Sequence, residues 1–220
     1  MRVFTRSEYT WAGGYYELSV ELGPPSDARL NAAVEAALDF SGWDGPYLRR
    51  DVEPEEQGRA ERAAIRPAPD DEYRSCGFYA VAFLPDGQRV AAGFGAYRLD
   101  GEPSDWVSVY VPVGALGAVY PEVGPFPFGN GETCEPGAWE RTLQDWLVAF
   151  GRRLYAAAPF PLGVTGFEMH GDYTAGELRA SGVPEERWDG LLLPDESGEL
   201  VWYPPTIYAA QFTVGAGGAA

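Results

Sequence analysis

The sequence predicts an α+β fold, a largely antiparallel β-sheet with two main helices packed on it, and three patterns carry that prediction. Tyr16, Leu18, Val20 and Leu22 alternate with Glu17, Ser19 and Glu21, the period-2 signature of a half-buried strand. Residues 77–99 read as a β-hairpin closed by Pro85-Asp86-Gly87, where proline presets φ and glycine accepts the positive φ of the turn. Trp139, Leu143, Trp146, Leu147, Phe150 and Leu154 recur at helical spacing, the clearest apolar stripe in the chain. Hairpins combined with well-separated helices give α+β rather than a parallel wound sheet.

The remaining elements follow in order. Gly23-Pro24-Pro25 stops the first strand, and Ser26 is placed to cap a helix running to about Phe40. Leu30, Ala33, Val34, Ala37 and Leu38 share one face of that helix, so it packs on the sheet. Residues 41–75 carry nine acids and six arginines with few large apolar side chains. They read as a charged, solvated or mobile insertion with a short helix near 55–65. Val107, Val109 and Val111 alternate with Trp106, Ser108 and Tyr110 in a further strand that Pro112 ends. The loop over residues 113–136 places Phe126 and Phe128 between prolines and glycines, where neither helix nor strand is regular. Pro136 suits the first residue of the second long helix, which Pro159 and Pro161 terminate. A strand at 164–169 follows, in which Gly163 and Gly166 leave room for a bulky neighbour such as Trp146. A short helix at 175–181 and a hairpin at 190–193 and 200–203 complete a single domain over residues 1–214, with 215–220 a disordered tail.

Composition narrows the function. Aromatics are 14% of the 220 residues, enough to build a core without staples. The formal charge is −17, from 33 acids against 16 basic residues, and every basic residue is an arginine. Such a field repels nucleic acid and anionic membranes, so neither is an expected partner. No apolar run is long enough to span a bilayer, and residues 1–11 lack the apolar core of a secretory signal. With Cys76 and Cys134 too few for a disulfide framework, the expected location is the cytoplasm. Abundant Ala, Gly, Pro and Arg beside absent lysine reflect a GC-rich genome.

No catalytic, cofactor or metal site is assigned. His170 is the sole histidine, no nucleophile elbow occurs, and three Cys/His residues scattered along the chain give no zinc spacing. Asp70-Asp71-Glu72 and Asp195-Glu196 read as solvated charge runs rather than calcium loops. The acids are unevenly distributed: residues 99–150 and 168–199 each carry a balance of −7. Concentrated negative charge steers basic partners. Aromatics and acids in these stretches form the candidate contact set: Trp106, Tyr110, Phe126, Phe128, Glu132, Glu135, Asp172, Trp188, Asp195 and Glu196. An acidic protein-binding module for a basic protein partner is the leading reading.

A single acidic α+β domain with an aromatic helix from Trp139-Glu140 through Trp146-Leu147, followed by the strand at Gly166-Phe167-Glu168, resembles bacterial toxin-immunity proteins in style. The resemblance implies an antitoxin that occludes the basic cleft of a nuclease-like toxin, and it transfers no individual residue. The alternative is a small-molecule-binding protein or hydrolase-type enzyme with a pocket near His170 and the Phe126/Phe128 loop.

Overall fold

The computed structural model describes residues 2–66, 74–98, 101–123, 137–169 and 173–207. One eight-stranded antiparallel sheet organises them, in the order β2-β3-β4-β5-β1-β6-β7-β8. The strands are β1 (Tyr15–Gly23), β2 (Trp43–Tyr47), β3 (Arg74–Phe83), β4 (Arg89–Arg98), β5 (Asp105–Pro112), β6 (Leu162–Phe167), β7 (Gly190–Pro194) and β8 (Leu200–Tyr203). The helices are α1 (Asp27–Leu38), α2 (Pro54–Gln57), α3 (Val113–Gly117), α4 (Ala138–Ala157) and α5 (Ala175–Ser181). This is the predicted α+β class, with α1 and α4 as the two main helices.

Register explains which side chains go inward. Leu18 pairs with Val109 and Val20 with Val107, so the aliphatic residues of β1 and β5 share one face. Phe94 and Ala96 of β4 extend that face through their pairing with Val109 and Val107. Both main helices cover it, α1 across β4 and β5 and α4 across β1, β6 and β8. Ser26 caps α1 as expected, its Oγ accepting from the Arg29 N–H at 3.3 Å. Asp105, fully buried, anchors the same helix end: its carboxylate accepts from the Ser26 N–H and holds Arg98 through two guanidinium nitrogens. The α4 stripe is buried throughout, Trp139 to Leu154. The Gly137 N–H donates to the Glu140 carboxylate at 2.6 Å, which satisfies one of the orphan donors at the start of α4.

Within residues 41–66 the part 43–47 is not solvated but joins the sheet as β2, while 48–51 and 61–64 are exposed. Trp43 and Tyr47 are buried and place β2 on the edge of the sheet beside β3. Trp43 rings meet Phe40, Phe78 and Phe150 at 5.2–5.7 Å, and its indole N–H donates to the Ala37 carbonyl. Charge-rich composition conceals this because two aromatics four residues apart, not a run of them, do the anchoring. Residues 67–73 of that stretch, Pro136 and the tail at 215–220 lie outside the described residues. A second correction concerns β6: Gly163 faces Leu18, Leu192 and Phe160, and Gly166 faces Met169 and Asp189. Trp146 lies elsewhere, its indole N–H donating to the Gly42 carbonyl.

The opposite face of the sheet is covered in two pieces. Residues 2–13 lie over the β2–β3 side, where Phe4 meets Tyr47 and Trp11 edge-on and Trp11 meets Tyr79. Glu53 holds this segment down: its buried carboxylate accepts from the N–H groups of Val3, Phe4 and Thr5 and from the Thr5 hydroxyl. Burial alone would raise the Glu53 pKa, but these four donors outweigh it and hold the group below the usual carboxylate range. On the β6–β7 side, α5 packs Ala175 and Leu178 onto Leu162, Val164 and Leu191.

Candidate docking surface

Between those two covers runs a polar seam. Glu17, Ser19 and Glu21 of β1 lie opposite Tyr110, Ser108 and Trp106 of β5. The Ser108 hydroxyl donates to the buried Glu17 carboxylate, and Glu21 accepts from the Ser104 hydroxyl and from the Ala175 N–H at the start of α5. Tyr110 stacks over Gly93, whose missing side chain is what admits the ring. Burial pushes the Tyr110 and Tyr97 phenols well above their ordinary range, so both stay neutral. Trp106 is 6% exposed and Tyr110 half-buried, so these two expected contact residues are structural parts of the sheet rather than a displayed surface.

Trp188 lies before β7 and Asp195 and Glu196 in the turn after it, at opposite ends of that edge hairpin. Phe126, Phe128, Glu132, Glu135 and Asp172, together with Cys134 and His170, lie outside the described residues. The β7–β8 end of the sheet is built from three local devices. Thr174 caps α5, its Oγ accepting from the Glu177 N–H while the Glu177 carboxylate accepts from the Thr174 N–H. In the β7–β8 turn, Asp195 accepts from the Ser197 hydroxyl and the N–H groups of Ser197 and Glu199. Those donors, the Ser197 hydroxyl first, hold the Asp195 carboxyl below its usual range and keep it ionised. Residues 185–187 are tied to the chain after β8, with the Thr206 N–H donating to the Arg187 carbonyl and the Arg187 N–H donating to the Thr206 Oγ.

The surface that results is acidic and uncompensated. Glu168, Glu177, Glu185, Glu186, Asp195, Glu196 and Glu199 are all exposed, and none forms an ion pair among the described residues. Trp188, 37% exposed, follows Glu185 and Glu186 in the chain at the Gly190 end of β7. At the opposite end four acids are matched, Asp44 with Arg59, Asp51 with Arg49, and Glu35 and Asp39 with Arg62, while Glu55, Glu56 and Glu61 are exposed with no ion pair among the described residues. Glu168, Glu177, Glu185, Glu186 and Glu199 are outside the expected contact set. The balance of −7 over residues 168–199 signalled the stretch, but pairing is a property of three-dimensional neighbours and not of counts.

The described residues contain no group of three His, Cys, Asp or Glu side chains that could hold a metal ion. None of their helices is long and apolar enough to cross a membrane. Cys76 is a free, half-buried thiol whose pKa burial pushes up to about 11, which makes it a poor nucleophile. Comparison with known proteins found no matching family model, no matching curated protein and no matching solved structure.

Proposed function

We propose that this protein is an acidic, cytoplasmic binding module that docks a basic protein partner through the β7–β8 end of its sheet. Bacterial immunity or antitoxin proteins that block basic nuclease-like toxins work by this chemistry. One observation carries the reading: seven carboxylates over residues 168–199 are exposed without an arginine partner among the described residues, with Glu185 and Glu186 next to the exposed Trp188 in the chain, while Asp44, Asp51, Glu35 and Asp39 at the other end are paired. Uncompensated like charges repel one another and raise the local negative potential, a cost that a cationic partner would relieve. Trp188 supplies the kind of aromatic anchor on which interface energy concentrates.

The test is a pull-down from the source organism's lysate in low and high salt, with the Glu185→Arg/Glu186→Arg double variant alongside. A basic protein retained at low salt, released as the Debye length falls to about 3 Å at 1 M salt, and lost from the variant supports the reading. Equal retention by the variant, or no basic protein at either salt, overturns it.

A further inference from the structure

We infer that β8 is an open strand edge that receives an extended basic segment of the partner by strand addition. The inference rests on the acidic docking reading for the chemistry of its occupant, and on backbone geometry for the mode of binding. Among the described residues β8 is the last strand of the sheet and pairs only with β7, in the register Leu193↔Val201 and Leu192↔Trp202. The Asp195 N–H donates to the Glu199 carbonyl in the same register. Bonded pairs alternate along an antiparallel ladder, so residues 199, 201 and 203 turn their backbone groups toward β7. Leu200 and Trp202 therefore turn theirs away from the sheet. Among the described residues no backbone group outside the ladder bonds to either of them.

Natural sheets blunt such edges with proline, inward charge or a covering loop. The other edge of this sheet is blunted in two of those ways: β2 contains Pro46, which has no N–H, and the Pro46 carbonyl accepts from the Ala60 N–H. β8 reads Leu-Val-Trp-Tyr, with no charge or proline inside it, and prolines only after it at 204 and 205. Acids flank both of its ends. Glu196 and Glu199 precede it in the turn, and Glu185 lies beside the chain that follows it, its carbonyl accepting from the Thr206 hydroxyl. An extended segment with arginine or lysine at its ends would fill the open donors and acceptors and neutralise both clusters. A second copy of this chain is disfavoured as the occupant, because it would bring the same negative clusters together at a net −17 for each copy.

The probe is a short peptide of alternating arginine and valine, compared with the same peptide N-methylated at alternate residues on its bonding edge. Methylation removes the backbone donors and leaves the charge. The readouts are binding to the full chain by calorimetry and exchange protection of the Leu200 and Trp202 amides. Binding of the plain peptide, loss of about tenfold or more on methylation, and protection of both amides are expected. Equal binding of the two peptides without amide protection overturns strand addition and leaves acidic docking standing. Binding of neither peptide overturns both. Amides already protected in the free protein, with a mass that doubles in solution, identify a second copy on the edge and overturn the basic occupant.

Discussion

The two ends of this sheet are built on opposite plans. At the β2 end, described residues 43–66 hold six acids against five arginines, nearly neutral, and Arg59 and Arg62, which follow α2, pair with Asp44 of the edge strand and with Glu35 and Asp39 at the end of α1. There the edge is plugged and an aromatic knot of Trp43, Phe40, Phe78 and Phe150 fastens it to both main helices. At the β8 end, described residues 162–169 and 173–207 hold eight acids against two arginines, and the edge strand is short and half-buried. The difference teaches that charge density and charge pairing are separate properties. The β2 end sets part of its acids against arginines, and the β8 end leaves its exposed acids without an ion pair among the described residues.

Removing the knot is the largest test of that division. Trp43→Ala should cost about 3–5 kcal/mol of unfolding free energy, while Trp202→Ala, on the half-buried β8, should cost clearly less. Denaturant titration of the two variants measures the gap. Equal costs would mean that the β8 end is as firmly built as the β2 end.

Next in size is the clasp on the N-terminal segment. Glu53→Gln should cost about 2–3 kcal/mol, because an uncharged amide with one acceptor oxygen cannot serve four donors. The pH dependence has a definite sign. The folded-state pKa of Glu53 lies below its ordinary value, so its contribution is complete above the carboxylate range and fades as pH falls through the folded value. The variant should therefore lose less stability on acidification than the parent. A parent and variant with parallel acid curves would remove Glu53 from the account.

Two smaller effects sharpen the contrast. Glu185→Arg with Glu186→Arg should leave the melting temperature within about two degrees of the parent, because neither acid has a structural partner to lose, and should abolish salt-sensitive partner capture. Arg62→Ala removes a cation shared by Glu35 and Asp39 at an exposed site. Its effect on melting should be the smallest of the set and should disappear at high salt. A large Arg62 effect that survives salt would show that the β2 end relies on its ion pairs rather than on its aromatic knot.

Much of this architecture was legible in the sequence where a period was long enough to read. The alternation through β1 and β5, the stripe of α4, the Ser26 cap and the last hairpin all appear where their patterns place them. β2 was not legible. Its five residues include Asp44, Gly45 and Pro46, and what makes them a strand is the packing of Trp43 and Tyr47 against partners distant in the chain. The docking surface was half legible. Charge counts located residues 168–199, but aromatic content alone could not separate Trp106, which the sheet buries, from Trp188, which it displays. The two tryptophans differ because one sits in a central strand and the other in a loop.

That isolation of Trp188 has an optical consequence. Of the seven tryptophans, all within the described residues, it is the one whose ring stands exposed to solvent. Small ions that quench indole emission on collision reach it in proportion to their local concentration, which follows the sign of the potential around Glu185 and Glu186. Caesium should therefore dim the exposed fraction of the emission more strongly than iodide does. A bound cationic partner should erase that preference, so the protein's own light reports whether its acidic end is vacant.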